Sequence, residues 1–181
     1  MKDVLDVHRS LLAREVPHEV VRLPRPVLSA DEIPDVLGLP SEQCIAVRIY
    51  FADTRPVAVL VATRTVAHPA AVLTALGASS LRSASPEEIN QLTDFAAPLV
   101  SPVLLPEDMP VLADACIGHN DVVYAPTGDA GTALGITAHR LLTASRAAVT
   151  ELCHDDGNSG PIDLRDLDEP LDLAIRIRHW R

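Results

Sequence analysis

A single arginine interrupts one of the most apolar runs of the chain. Arg48 stands between Val47 and Ile49 in Cys44-Ile45-Ala46-Val47-Arg48-Ile49-Tyr50-Phe51. In an extended strand, positions 46 and 48 point to the same face. If that face is the core, the guanidinium needs a partner or lines a cleft. If the face is solvated, Arg48 is a surface charge. A second candidate is the loop Thr127-Gly128-Asp129-Ala130-Gly131. Its glycines would let a ligand approach the backbone, and exposed N–H groups there could bind a carboxylate or phosphate. The same residues also suit an ordinary turn between two strands. The loop carries neither a phosphate-loop lysine nor a dinucleotide fingerprint.

Other reactive residue types are scattered. Ser101 precedes Pro102 in a proline-rich stretch. It could touch a substrate or serve as a turn serine, and no nucleophile elbow surrounds it. Cys116 and His119 are three residues apart, but no second pair completes a zinc site, so they read as a buried thiol and a surface imidazole. Cys44 falls within the strand run and reads as buried. His8 reads as a helix-surface or half-buried histidine. Three widely spaced cysteines, Cys44, Cys116 and Cys153, suit reduced, buried thiols of a cytoplasmic protein better than a disulfide framework. No metal and no cofactor is expected.

The 181 residues suffice for one domain, and 48% apolar content can build its core. Aromatics are only 3%, so that core must come from Ala, Val, Leu and Ile. The net charge of −10 argues against a broad basic surface for nucleic acid; any such contact must be local. Fourteen of the 15 basic residues are arginine, and Lys2 is the single lysine. No apolar run reaches the length of a membrane span, and the acidic N-terminus lacks a secretory signal pattern.

The elements that must position these residues are legible in outline. Val4, Val7, Leu11 and Leu12 form a helical stripe closed by Pro17, and 18–23 reads as a strand. Ser29 and Glu32 have capping-box spacing, opening a short helix that ends at Gly38. Strands 43–51 and 57–62 form a hairpin with a longer loop through Asp53. A helix spans about 68–76, and Ser85-Pro86-Glu87-Glu88 opens another. Pro98, Pro102, Pro106 and Pro110 forbid a continuous helix. Strands follow at 111–115, 121–124 and 132–136, then a helix capped by Thr137 and a strand-like 148–152. After Cys153 the composition turns to linker residues, so 1–153 is assigned as the domain and 154–181 as a linker and extension. Within that extension 171–178 alternates with period two, as an edge strand would. Strands and helices without regular alternation indicate an α+β fold with a mixed sheet.

The order of these pieces, from about Val4 to Leu152, resembles the YbaK/ProX group of aminoacyl-tRNA deacylases, related to the editing insertion of bacterial prolyl-tRNA synthetase. Four stretches carry the likeness: Leu37 to Val47; Ala75-Leu76-Gly77-Ala78 with Ser85-Pro86-Glu87-Glu88; Thr93-Asp94-Phe95 through Ser101-Pro102 to Asp114; and Val123 to Ile136. The resemblance implies a curved mixed sheet with peripheral helices, and hydrolysis of the ester joining a wrong amino acid to the tRNA acceptor end, without a metal. On that resemblance Gly128 is expected in catalysis, with Arg48 as the candidate cation, and Ala46, Ser101, Pro102, Thr127 and Gly131 around the substrate. The family's usual lysine on the central strand falls at Ala46 here. Arg48 could supply charge from a neighbouring position, but guanidinium is not a general base. Pro98 and Leu99 stand where the family has glycines, and Thr127 where a glycine is common.

Two functions follow. One is a trans-acting deacylase of mischarged tRNA. The other is a catalytically silent module of the same fold that senses an amino acid or aminoacyl ligand, or docks on a partner. The extension 154–181 is the expected place for homodimer or synthetase contacts.

Overall fold

A computed structural model describes residues 1–153. The 154–181 extension and the alternating segment within it lie outside the described residues. Helix α1 (Val4–Ala13) opens on a capping box in which Asp3 accepts from the Leu5 and Asp6 N–H groups and Asp6 answers to the Asp3 N–H. Strand β1 (Glu19–Arg22) follows. A 3-10 turn (Ala30–Glu32) then leads into α2 (Ile33–Leu37), which ends at left-handed Gly38. The Ser29 hydroxyl caps nothing here. Glu32 is drawn instead to the Leu28 N–H and to Arg25, so the expected capping box does not form.

Strands β2 (Ile45–Ala52) and β3 (Arg55–Ala62) form the central hairpin. Its turn is only Asp53-Thr54, shorter than expected, because Asp53 adopts a positive φ of 54°. The Asp53 carboxylate also receives the Ser79 and Ser80 N–H groups, which fixes the turn. Helix α3 (Pro69–Leu76) precedes β4 (Leu81–Ser83), a short edge strand that the sequence pattern did not reveal. Helix α4 (Pro86–Thr93) carries the full Ser85–Glu88 capping box. After the proline-rich loop come β5 (Val111–Asp114), β6 (Val122–Pro126), β7 (Thr132–Thr137), α5 (Ala138–Ser145) and β8 (Ala148–Thr150).

The strands form two sheets that do not close: β4-β2-β3-β5-β8 and β1-β7-β6. Antiparallel pairs β2/β3 and β2/β4 combine with parallel pairs β3/β5 and β5/β8 in the larger sheet. A parallel bridge between Cys44 and Tyr124 joins β6 to the start of β2, so the smaller sheet continues the larger one around a bend. Both faces of β2 and β3 are covered, which is why these strands read as unbroken apolar runs. Ile45, Val47, Ile49, Ala58 and Leu60 pack with Val7 and Leu11 of α1 and Leu141 of α5. On the opposite face, Tyr50, Val57, Val59 and Val61 pack with Val72 of α3. Farther along that face Cys44 and Ala46 lie beneath Ala30 and Ile33. The result is the α+β fold with a curved mixed sheet that the sequence indicates.

Candidate functional site

Of the residues singled out in the sequence, Ala46 and Arg48 stand on β2, Ser101 and Pro102 in the proline-rich loop, and Thr127, Gly128 and Gly131 in the turn between β6 and β7. Ala46 is fully buried, in one apolar cluster with Leu23, Val27, Ile33, Leu99 and Ala133. Leu99 leads directly into Ser101-Pro102, and Ala133 pairs with Pro126 at the mouth of the Thr127–Gly131 turn. The floor of the site is therefore apolar and tightly filled at residue 46.

Arg48 shares that face but turns to another partner. Its Nη2 donates to both carboxylate oxygens of Asp31 at 2.8 Å, with both side chains about one-third exposed. Asp31 also accepts the Arg64 N–H at 2.8 Å, and Arg64 reaches on to Asp35. Burial alone would raise the Asp31 pKa, but the Arg48 hydrogen bond, the Arg64 N–H and both positive charges outweigh it and hold the carboxyl below its ordinary value. Arg48 is thus neither unpartnered nor a plain surface charge. It ties the 3-10 turn to β2.

The turn between β6 and β7 is built around one conformation. Gly128 sits at φ +90°, and a Cβ there would lie 2.7 Å from Phe95 Cδ1 and 2.8 Å from the Lys2 carbonyl oxygen. No L-residue fits without displacing backbone. The Asp129 carboxylate accepts the Gly131 N–H at 2.6 Å, and the Thr127 and Thr132 hydroxyls are 2.7 Å apart. The Asp129 N–H donates to the Thr127 hydroxyl. The Gly131 carbonyl is taken by the Leu23 N–H and the Ala130 carbonyl by the Val27 N–H. Among the described residues, no acceptor takes the N–H of Gly128 or of Ala130. These two are the N–H donors of the turn left for a ligand, and the Asp129 carboxylate beside them is engaged only through Oδ1.

Ser101 is fully buried and its oxygen accepts the Val103 N–H at 3.3 Å, the geometry of a turn serine. Pro102 is buried beside it. Cys44 is buried, and desolvation pushes its thiol up to about 12, so no thiolate nucleophile is available there. Cys116 is exposed rather than buried, since it lies on the outer side of a 3-10 turn (Ala115–His119), and Cys153 is only partly covered. Among the described residues no group of three His, Cys, Asp or Glu side chains is disposed to hold a metal. Two participants escaped the sequence reading. Phe95 and Lys2 form the wall behind Gly128, with the Lys2 ammonium 5.3 Å from the Phe95 ring centroid. Nothing local signals that contact, because Lys2 and Gly128 are far apart in the chain.

A family model of the aminoacyl-tRNA editing domain matches residues 24–144, two thirds of the chain. The chain belongs to that family. The match runs from just after β1 into α5 and holds Ala46, Arg48, Ser101 and the Gly128 turn. Proline–tRNA ligases of Streptococcus pneumoniae strains 70585 and Hungary19A-6 are each 33% identical over 119 residues, covering 61% of this chain. The chain spans about a fifth of the length of these relatives. Among solved structures, one described as a proposed trans-editing enzyme for prolyl-tRNA synthetase superposes with a TM-score of 0.74 at 25% identity, covering 83% of this chain and 96% of that one. A hypothetical protein, APE2540, gives 0.76 at 20% identity over 82% and 99%, a likeness of fold. The editing-domain family assigned by the four sequence stretches is thus the family found. Among the described residues no helix is long and apolar enough to cross a membrane.

Proposed function

We propose that this editing-family protein hydrolyses, in trans, the ester that joins a mismatched amino acid to the 3′ end of tRNA. The observation that carries the reading is the β6–β7 turn. It holds two unclaimed backbone N–H groups, from Gly128 and Ala130, beside an apolar floor of small side chains. Water adds to the ester carbonyl carbon, and the carbonyl oxygen takes the negative charge. Fixed N–H donors stabilise that charge without reorganising. The tetrahedral species then collapses, the C–O bond to the ribose breaks, and the ribose oxygen takes the proton lost by water. The products are a free amino acid and uncharged tRNA.

The small side chains of Ala46 and Ala133 and the branched Leu99 would sort amino acids by size, a discrimination worth about 1–3 kcal/mol per methylene. Thr127 keeps the turn in shape through Thr132 and Asp129. Arg48 acts on the site through Asp31, by holding the 3-10 turn against β2. The single lysine, Lys2, donates to the Thr93 and Leu104 carbonyls and so supports the turn's wall.

The test is a deacylation assay on tRNAs charged with Ala, Ser, Cys, Pro and Thr. Release from one class above spontaneous hydrolysis, abolished by Gly128→Val, is the expected result. No release from any member overturns the reading in favour of a silent binding module. A contact with a synthetase or a second copy through residues 154–181 belongs to the same proposal. It is read from solution mass and co-purification of the full chain against a chain ending at Cys153.

A further inference from the structure

A cleft of about 310 Å³ opens beside the proline-rich loop. It runs between α1, α5 and that loop. Three cations line it: Lys2, Arg14 and Arg146. In a chain of net charge −10 such a grouping is conspicuous. Among the described residues, no carboxylate makes an ion pair with any of the three, whereas Arg25, Arg48, Arg64 and Arg82 are all paired.

Main-chain carbonyls hold the three cations in place instead. Lys2 donates to Thr93 and Leu104, Arg14 to Ser10 and Ala144, and Arg146 to Leu105, Pro106 and Glu107. Carbonyls orient a cation but leave its net charge in place, and each group keeps N–H donors unused. Arg146 is at φ +58°, a backbone conformation that favours glycine, yet an arginine stands there. The Glu107 side chain is the one carboxylate in the lining, so the cleft carries two net positive charges. Asp108 lines an adjoining hollow that shares Glu107 and Arg146 with the cleft.

The cleft adjoins the candidate site. Pro102 lines it and follows Ser101, and the Lys2 main chain touches Gly128 while its side chain reaches the cleft. We propose that this cleft binds a phosphodiester of the RNA strand whose 3′ end enters the β6–β7 turn. The inference rests on the editing reading and deepens it. It also meets the demand that an acidic protein touch RNA through a local patch. The anionic oxygens of one phosphate would span Arg14 and Arg146, with Lys2 behind them.

The test uses the full chain and an uncharged RNA hairpin ending in a single-stranded 3′ CCA, with affinity read by fluorescence anisotropy at several salt concentrations. Arg14→Gln is the primary variant, because Arg14 is exposed and its loss leaves the core untouched. Binding is expected to weaken about tenfold, with the slope of log K against log salt falling by about 0.7 for the lost contact. Arg14→Glu should weaken it further, and Arg14→Lys should restore most of it. Wild-type affinity and slope in both Arg14→Gln and Arg146→Gln, with deacylation intact, would overturn the cleft and leave the editing reading standing. Absence of both RNA binding and deacylation in the wild type would overturn both. Saturable binding of inorganic phosphate that Arg14→Gln abolishes, without RNA binding, would assign the cleft to a free phosphate and overturn the RNA proposal.

Discussion

The β6–β7 turn and the Ala46–Arg48 stretch of β2 border the same site but hold their chemistry in different ways. In the turn the useful groups are backbone N–H donors, and a glycine conformation holds them: φ +90° at Gly128, with no space for a Cβ. In β2 the useful groups would be side chains. There residue 46 is a buried alanine in an apolar cluster, and the nearby cation is bound to Asp31. A backbone donor survives any change that preserves its dihedral angles. A side-chain cation is available only if its neighbours leave it unpaired. In this chain the turn keeps unclaimed backbone donors, while the cation on β2 is engaged in holding structure.

The sharpest way to break that contrast is Ala46→Lys. A lysine at a fully buried position among Leu23, Ile33, Leu99 and Ala133 must be overpacked and desolvated, with an expected loss of about 3–5 kcal/mol in urea unfolding. Near-wild-type stability with faster deacylation would show that the cluster opens and that β2 keeps its side-chain chemistry. Gly128→Ala comes next. Positive φ and contacts under 3 Å to Phe95 and the Lys2 carbonyl predict about 2–4 kcal/mol of destabilisation together with loss of deacylation.

Arg48→Ala tests the redirected cation. It leaves the Asp31 carboxylate with only the Arg64 N–H, and since both side chains are about one-third exposed, the cost should be about 1 kcal/mol. Loss of turnover at unchanged stability would instead make Arg48 a substrate clamp. The pH dependence has a definite sign. Asp31 has a lowered pKa in the folded chain, so its contribution is fully present above the ordinary carboxylate value and fades as pH falls below that value, through the folded pKa. Wild-type protein should lose more stability than Arg48→Ala between pH 6 and pH 3, as measured by thermal unfolding. The smallest effect belongs to Cys44. With its thiol raised to about 12, Cys44→Ala should leave deacylation unchanged, and a thiol reagent at pH 8 should spare Cys44 in the folded chain.

Much of the framework was open to reading from residue order. Ser85-Pro86-Glu87-Glu88 caps α4 as its spacing demands, because both partners of the box lie within one turn. The apolar runs of β2 and β3, the stop at Gly38 and the proline-rich loop are local in the same sense. Ser29–Glu32 has equal spacing, yet Glu32 is claimed by Arg25 and the Leu28 N–H, a competition that spacing does not encode. The short β4 was missed because three residues carry too little pattern, and its strand character comes from pairing with Tyr50–Ala52.

The same division runs through the site. That Gly128 belongs to a turn able to present N–H groups, and that position 46 cannot supply a base, follow from residue identity alone. Identity limits which dihedral angles and which protons a residue can offer. Whether Arg48 is free, which N–H groups of the turn remain unclaimed, and that Lys2 closes the wall behind Gly128 depend on chain segments tens of residues apart meeting in space. Those meetings follow from the packing of α1, the 3-10 turn at Ala30–Glu32 and the proline-rich loop around the bent sheet, a long-range balance of buried area and charge pairing that no local pattern records.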